Sequence, residues 1–120
     1  MDIPAEEQPA YVLNVIRKWP WPAQLAEFAV RRHGFADTDG GFGVTYPDDL
    51  DDYERATGGH IPEAFLEIWG FWGSPEGDEF HFSERRYLEI LAAYLEDLGL
   101  KTDSASVAAI ACRTPTPTSA

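Results

Sequence analysis

Residues 79–99 read EFHFSERRYLEILAAYLEDLG, and inside this stretch the apolar pattern changes period from two to about 3.6. Phe80 and Phe82 share one face of a short extended run over 79–82. Ser83 is a good helix N-cap, because its hydroxyl can accept from a backbone N–H of the first turn. Behind it, Tyr87, Leu88, Leu91, Tyr94, Leu95 and Leu98 fall on one helical stripe over 84–98, and Gly99 stops it. A strand that runs straight into an amphipathic helix sets the class. The expectation is an α+β fold, mainly helical with a small antiparallel sheet, in a single domain.

Working upstream, Phe42, Val44 and Tyr46 alternate with Gly43 and Thr45, which predicts another short strand. Residues 47–57 are read as a helix with aspartates at its positive end and Gly58-Gly59 after it, and Pro62 is read as opening a further helix to Trp69. Residues 70–78 are a loop holding Phe71 and Trp72, and residues 35–43 are a loop rich in glycine and aspartate. Nearer the start, Tyr11, Val12, Val15, Ile16 and Trp19 make a helical stripe that Pro20 ends. Pro22 then opens a helix with Leu25, Phe28 and Ala29 inward and Arg31, Arg32, His33 and Gly34 at its close. Residues 1–8 read as a flexible leader, 9–100 as the globular domain, and 101–120 as a C-terminal extension, disordered at least from 113. Between 101 and 112 the pattern is ambiguous, although Asp103-Ser104 can cap a short helix carrying Val107, Ile110 and Ala111.

The chain has 120 residues, 44% hydrophobic and 13% aromatic, enough for a core of its own. It carries 21 acids and 9 bases, for a net charge of −12. From Asp37 to Glu79 there are twelve acids against Arg55 alone, so the middle third holds eleven of the twelve net negative charges. That field opposes direct binding to nucleic acid or to an anionic membrane and attracts a basic protein. No apolar run reaches the ~18–20 residues of a membrane span. The start, Met1-Asp2-Ile3-Pro4-Ala5-Glu6-Glu7, is the reverse of a signal peptide. The single cysteine, Cys112, excludes an intramolecular disulfide and a multi-cysteine metal site. The expected compartment is the cytoplasm.

Catalytic and metal chemistry find few parts. His33, His60 and His81 could join Asp37 and Asp39 as metal ligands, but no two of the histidines stand at i, i+4 and no HxH or HExxH spacing occurs. The run Asp37-Thr38-Asp39-Gly40-Gly41 opens like a calcium loop, but its twelfth position is Asp48, where a bidentate glutamate is needed, and Pro47 lies inside it. Ser74, Ser83, Ser104 and Ser106 lack a nucleophile-elbow context, and no phosphate-binding glycine loop occurs. The expectation is a protein that is not an enzyme and needs no cofactor and no metal.

Two features point to binding instead. Asp48, Asp49, Asp51, Asp52 and Glu54 form a dense acidic run, and Trp69, Phe71, Trp72 and Phe80 surround a glycine-rich loop that also carries Glu76, Asp78 and Glu79. Aromatic anchors inside a charged rim are a common interface composition. These residues other than Phe80 are the expected partner-binding set.

The order Leu50-Asp51-Asp52-Tyr53-Glu54, Gly58, then Ile61-Pro62-Glu63-Ala64-Phe65-Leu66 and a glycine-containing loop resembles the SMI1/KNR4 (SUKH) superfamily. The resemblance covers residues 50–73. It implies an α+β domain in which two short helices pack on a sheet, and a bacterial immunity protein that binds and neutralises a cognate toxin, in some cases a nuclease. The acidic middle third would then face the toxin's basic cleft. The alternative expectation is a non-catalytic structural or regulatory subunit, and behind it a small metal-binding protein or enzyme.

Overall fold

A computed structural model describes residues 3–37, 39–51, 53, 56, 61–73 and 75–117. Helix α1 (Gln8–Lys18) carries a proline in its first turn, where a missing N–H costs nothing, and ends in Arg17 and Lys18 at the negative end of its dipole. It buries Val12, Val15 and Ile16. Trp19 is extended (ψ 124°) ahead of Pro20, as a residue before proline prefers. Helix α2 (Pro22–Arg31) starts on its proline and buries Leu25, Ala26 and Ala29. Its left-handed cap is Arg32 (φ 51°) rather than a glycine, and the Arg32 side chain donates to Glu84 from there.

Four strands follow: β1 (Phe35–Asp37), β2 (Phe42–Thr45), β3 (Phe65–Gly70) and β4 (Asp78–Ser83). They lie in the order β1-β2-β3-β4 with every neighbouring pair antiparallel. Strands β2 and β4 form where the alternation places them. Strand β1 lies in the segment read as a loop, and pairing with β2 (Phe35 opposite Val44) is what extends it.

The helix expected from Pro62 to Trp69 is instead strand β3. The run FLEIW suits a helical face and a period of two equally, and the β-branched and aromatic residues in it favour a pleated surface. Pairing with β2 on one side and β4 on the other decides the matter. The helix expected from Pro47 to Thr57 begins as a single 3-10 turn, Pro47–Asp49, and Leu50 is extended (ψ 131°). Asp49 turns its carboxylate back to the N–H of Tyr46 (2.7 Å), a local bond that competes with helix continuation. Tyr53 and Ala56 are helical, whereas Asp52, Glu54, Arg55 and residues 57–60 lie outside the described residues, as do Gly58 and the metal candidate His60 among them.

Helix α3 (Glu84–Asp97) leaves β4 through Ser83, whose Oγ accepts from the N–H of Arg86 at 3.2 Å. It buries Tyr87, Leu88, Leu91, Ala92 and Leu95, while Leu98 lies past its end and is exposed. Gly99 (φ 82°) turns the chain into helix α4 (Lys101–Arg113), which packs along α3 and α2. Ser104 sits inside α4 rather than at its cap, and its hydroxyl donates to the carbonyl of Ala92 on α3 at 2.7 Å. Val107 and Ala111 join the core, and Thr114 is buried with its hydroxyl on the carbonyl of Ile110. The C-terminal segment through Thr114 is therefore an integral layer of the fold, not a trailing extension. At the other end Ile3 is buried and its carbonyl accepts from Gln8 Nε2 at 3.1 Å, so residues 3–7 are not a loose leader.

The core sits between the helices and one face of the sheet. Phe35, Phe42, Val44, Leu66, Ile68 and Phe82 supply that face. The opposite face, with Gly43, Thr45, Glu67, Trp69, Glu79 and His81, contributes nothing to the core.

Candidate partner-binding surface

The alternation of β3 turns Leu66, Ile68 and Gly70 inward and Phe65, Glu67 and Trp69 outward. On β4 the outward residues are Glu79 and His81, opposite Trp69 and Glu67 respectively. On β2, Gly43 is the partner of Trp69. That glycine leaves room for the indole: a Cβ at position 43 would lie 2.5 Å from Trp69 Nε1, 2.6 Å from Cε2 and 2.8 Å from Cζ2. Gly41 (φ 71°) does the same for Phe71, whose ring would be 2.7 Å from a Cβ there. Two aromatic side chains thus rest on glycine backbone on the outer side of the sheet. Phe71 remains 56% exposed, unusual for so large an apolar group.

These rings wall an open depression of about 470 Å³ lined by Glu67, Trp69, Phe71, Glu76, Gly77, Asp78 and Glu79. None of the seven is basic. Burial raises the Glu67 carboxyl above its ordinary value, the negative charge of Glu79 adds to the rise, and His81 opposes it. His81 Nε2 stands 3.8 Å from Glu67 Oε2. The site therefore holds a carboxylate that is partly desolvated and set beside a second one. Asp78 has a different task. Its carboxylate Oδ2 accepts from the N–H groups of Trp72 (2.9 Å) and Gly73 (2.8 Å) and shapes the loop between β3 and β4.

The expected partner-binding set is divided by the fold. Trp69, Phe71, Glu76, Asp78 and Glu79 come together around this depression. Trp72 goes to the other side of the sheet, where it packs on Tyr11 (4.9 Å between centroids) and Phe80 (6.1 Å) and donates to Asn14 Oδ1 at 3.4 Å. Trp72 lies past the end of β3, in the loop that the Asp78 carboxylate holds. Asp49 is spent on scaffolding, since one carboxylate oxygen accepts from both Gly34 N–H (2.9 Å) and Tyr46 N–H (2.7 Å). Asp48 reaches Arg32 Nη1 at 3.0 Å, and Asp51 is exposed. Asp52 and Glu54 lie outside the described residues.

Sequence reasoning passed over Glu67, because the segment around it reads as a helix. The signal that finds it is the period of two over 65–70, with Leu66 and Ile68 on one side and Glu67 and Trp69 on the other. Two other depressions have different characters. One of about 510 Å³ at the β1 edge is lined by Trp19, Phe28 and Phe35, and its only carboxylate is the occupied Asp49. The other, about 460 Å³ between α1 and α3, mixes Arg17 and Asp97 with aliphatic groups. Neither combines ring walls with excess charge of one sign. Among the described residues, no three His, Cys, Asp or Glu side chains group to hold a metal, and no helix is long and apolar enough to cross a membrane.

The chain matches no family model, no curated protein and no solved structure.

Proposed function

We propose that this chain is a protein-binding domain that engages a basic partner through the outer face of its sheet. The observation that carries the reading is Trp69 and Phe71, laid on glycine backbone outside the core and flanked by Glu67, Glu76 and Glu79. Phe71 is exposed and Trp69 half-buried beside it, and an aromatic centre with a charged rim is what interface anchors look like. The net charge of −12 steers a cationic partner toward this face and keeps nucleic acid away. The resemblance of residues 50–73 adds the reading of an immunity protein of the cytoplasm that neutralises a cognate toxin by covering its basic surface, with strand β3 standing where that resemblance implies a helix.

The test is capture of partners from the source cells by the wild-type chain and by a Trp69→Ser, Phe71→Ser double variant, at low and high salt. One basic protein should bind the wild type, bind more weakly in high salt, and be lost with the double variant. If that protein is a toxin, co-expression of the wild type should restore growth and the double variant should not. Equal capture by both chains would overturn the assignment of the face.

A further inference from the structure

We propose that the depression between Trp69 and Phe71 is a seat for one arginine side chain of the partner protein. This rests on the protein-binding reading and names the group that the surface recognises. The walls are two aromatic rings, and the polar rim carries only carboxylates, among which Glu67 and Glu79 are turned outward by strand alternation. An apolar group would satisfy the rings and leave the partly desolvated Glu67 with His81, 3.8 Å away, as its partner. A small hydrated cation would do the opposite.

A guanidinium meets both demands at once. It is planar and weakly hydrated, it stacks on an indole face, and its edge donates to carboxylates in a fixed fork. A lysine ammonium is a compact, strongly hydrated point charge and gains less from the rings. The volume, about 470 Å³, is within the range of pockets that enclose small groups. A second copy of this chain is a poor occupant, because its own charge of −12 repels it. Glu67 itself supports the choice. Its carboxyl is raised by burial and by Glu79, a condition that an incoming cation relieves.

The experiment titrates blocked tripeptides, acetyl-Gly-Xaa-Gly-amide with Xaa as arginine, lysine or citrulline, into the full ¹⁵N-labelled chain. The four indole N–H signals are followed, with that of Trp69 assigned by its loss in Trp69→Phe. The arginine peptide should shift the Trp69 signal saturably while the exposed Trp21 signal stays in place. The lysine peptide should bind at least about fivefold more weakly, the difference that stacking supplies. Citrulline, isosteric but uncharged, should give no saturable shift. Glu67→Gln should weaken arginine binding several-fold in a chain that stays folded.

No saturable shift with arginine overturns the proposal, as does an equal response to citrulline, which would mean an apolar cleft, or to lysine, which would mean attraction of charge alone. If the arginine peptide fails while the partner is still lost from the Trp69→Ser, Phe71→Ser chain, the arginine seat is wrong and the protein-binding reading stands. If the partner binds that double variant as well as it binds the wild type, the protein-binding reading of this face is the one that fails.

Discussion

Trp69 rests on Gly43: three atoms of its indole lie 2.5–2.8 Å from where a Cβ at position 43 would be. The two residues are direct partners across β2 and β3, so the glycine decides how the tryptophan lies. Gly43→Ala should push the ring off the sheet and destabilise the fold by about 1–3 kcal/mol, the usual cost of forcing volume into a packed place. Chemical denaturation measures the loss, and a change in the Trp69 indole signal locates it. An unchanged signal in Gly43→Ala would show that the ring does not depend on the glycine.

Glu67 trades stability for charge. Burial raises its carboxyl, so the folded chain holds that proton more tightly than the unfolded chain does. The benefit is complete below the ordinary carboxylate value and is lost as pH rises through the elevated one. At neutral pH the charged Glu67 is therefore a cost, kept below about 1 kcal/mol by its partial exposure. Glu67→Gln should melt higher than wild type at neutral pH, and its advantage should vanish as the pH falls toward about 4. Melting curves at the two pH values test this; a constant difference would remove Glu67 as the cause.

Arg32 ties α2 to the start of α3. Its Nε and Nη2 donate to Glu84 Oε2 and Oε1 at 3.1 and 2.9 Å, and its Nη1 reaches Asp48 at 3.0 Å. The Glu84 side chain is only 5% exposed, so removing the arginine leaves a carboxylate buried without its main partner. Arg32→Ala should cost about 2–3 kcal/mol, the lower part of the range for buried pairs because the arginine itself reaches solvent. Arg32→Lys should recover little, since an ammonium cannot reproduce the two-pronged geometry. Urea unfolding of the two variants supplies the comparison.

The hydroxyl of Tyr46 is buried and has no hydrogen-bond partner among the described residues. A buried polar group without a partner is a net cost. Tyr46→Phe should leave stability unchanged or raise it by up to about 1 kcal/mol. A loss above about 1 kcal/mol would reveal a partner for that hydroxyl.

Helix α4 closes the core. Val107 is fully buried, and its replacement by alanine should cost about 1–3 kcal/mol through the lost methyls and the cavity. Ending the chain after Leu100 should abolish cooperative unfolding, whereas ending it after Pro115 should not, and circular dichroism on heating separates the two.

Where one residue pattern has one physical solution, the sequence alone determines the structure. The stripe Tyr87–Leu95 behind Ser83 allows only an amphipathic helix, and the prolines at 9 and 22 only begin one. Composition likewise determined the sign of the field: twelve acids against one base make the middle third negative, whatever the fold. Residues 65–69 were different. Five residues are too few to tell period two from 3.6, so their state was decided by the strands that pair on either side of them. With that choice came the candidate surface, because strand alternation set Glu67 and Trp69 outward together, while Trp72, past the end of β3, packs against the core. Asp49 and Arg32 follow the same logic. Their bonds to Gly34 and to Glu84, 15 and 52 residues away, exist only once the chain has folded back on itself, and no local pattern encodes them.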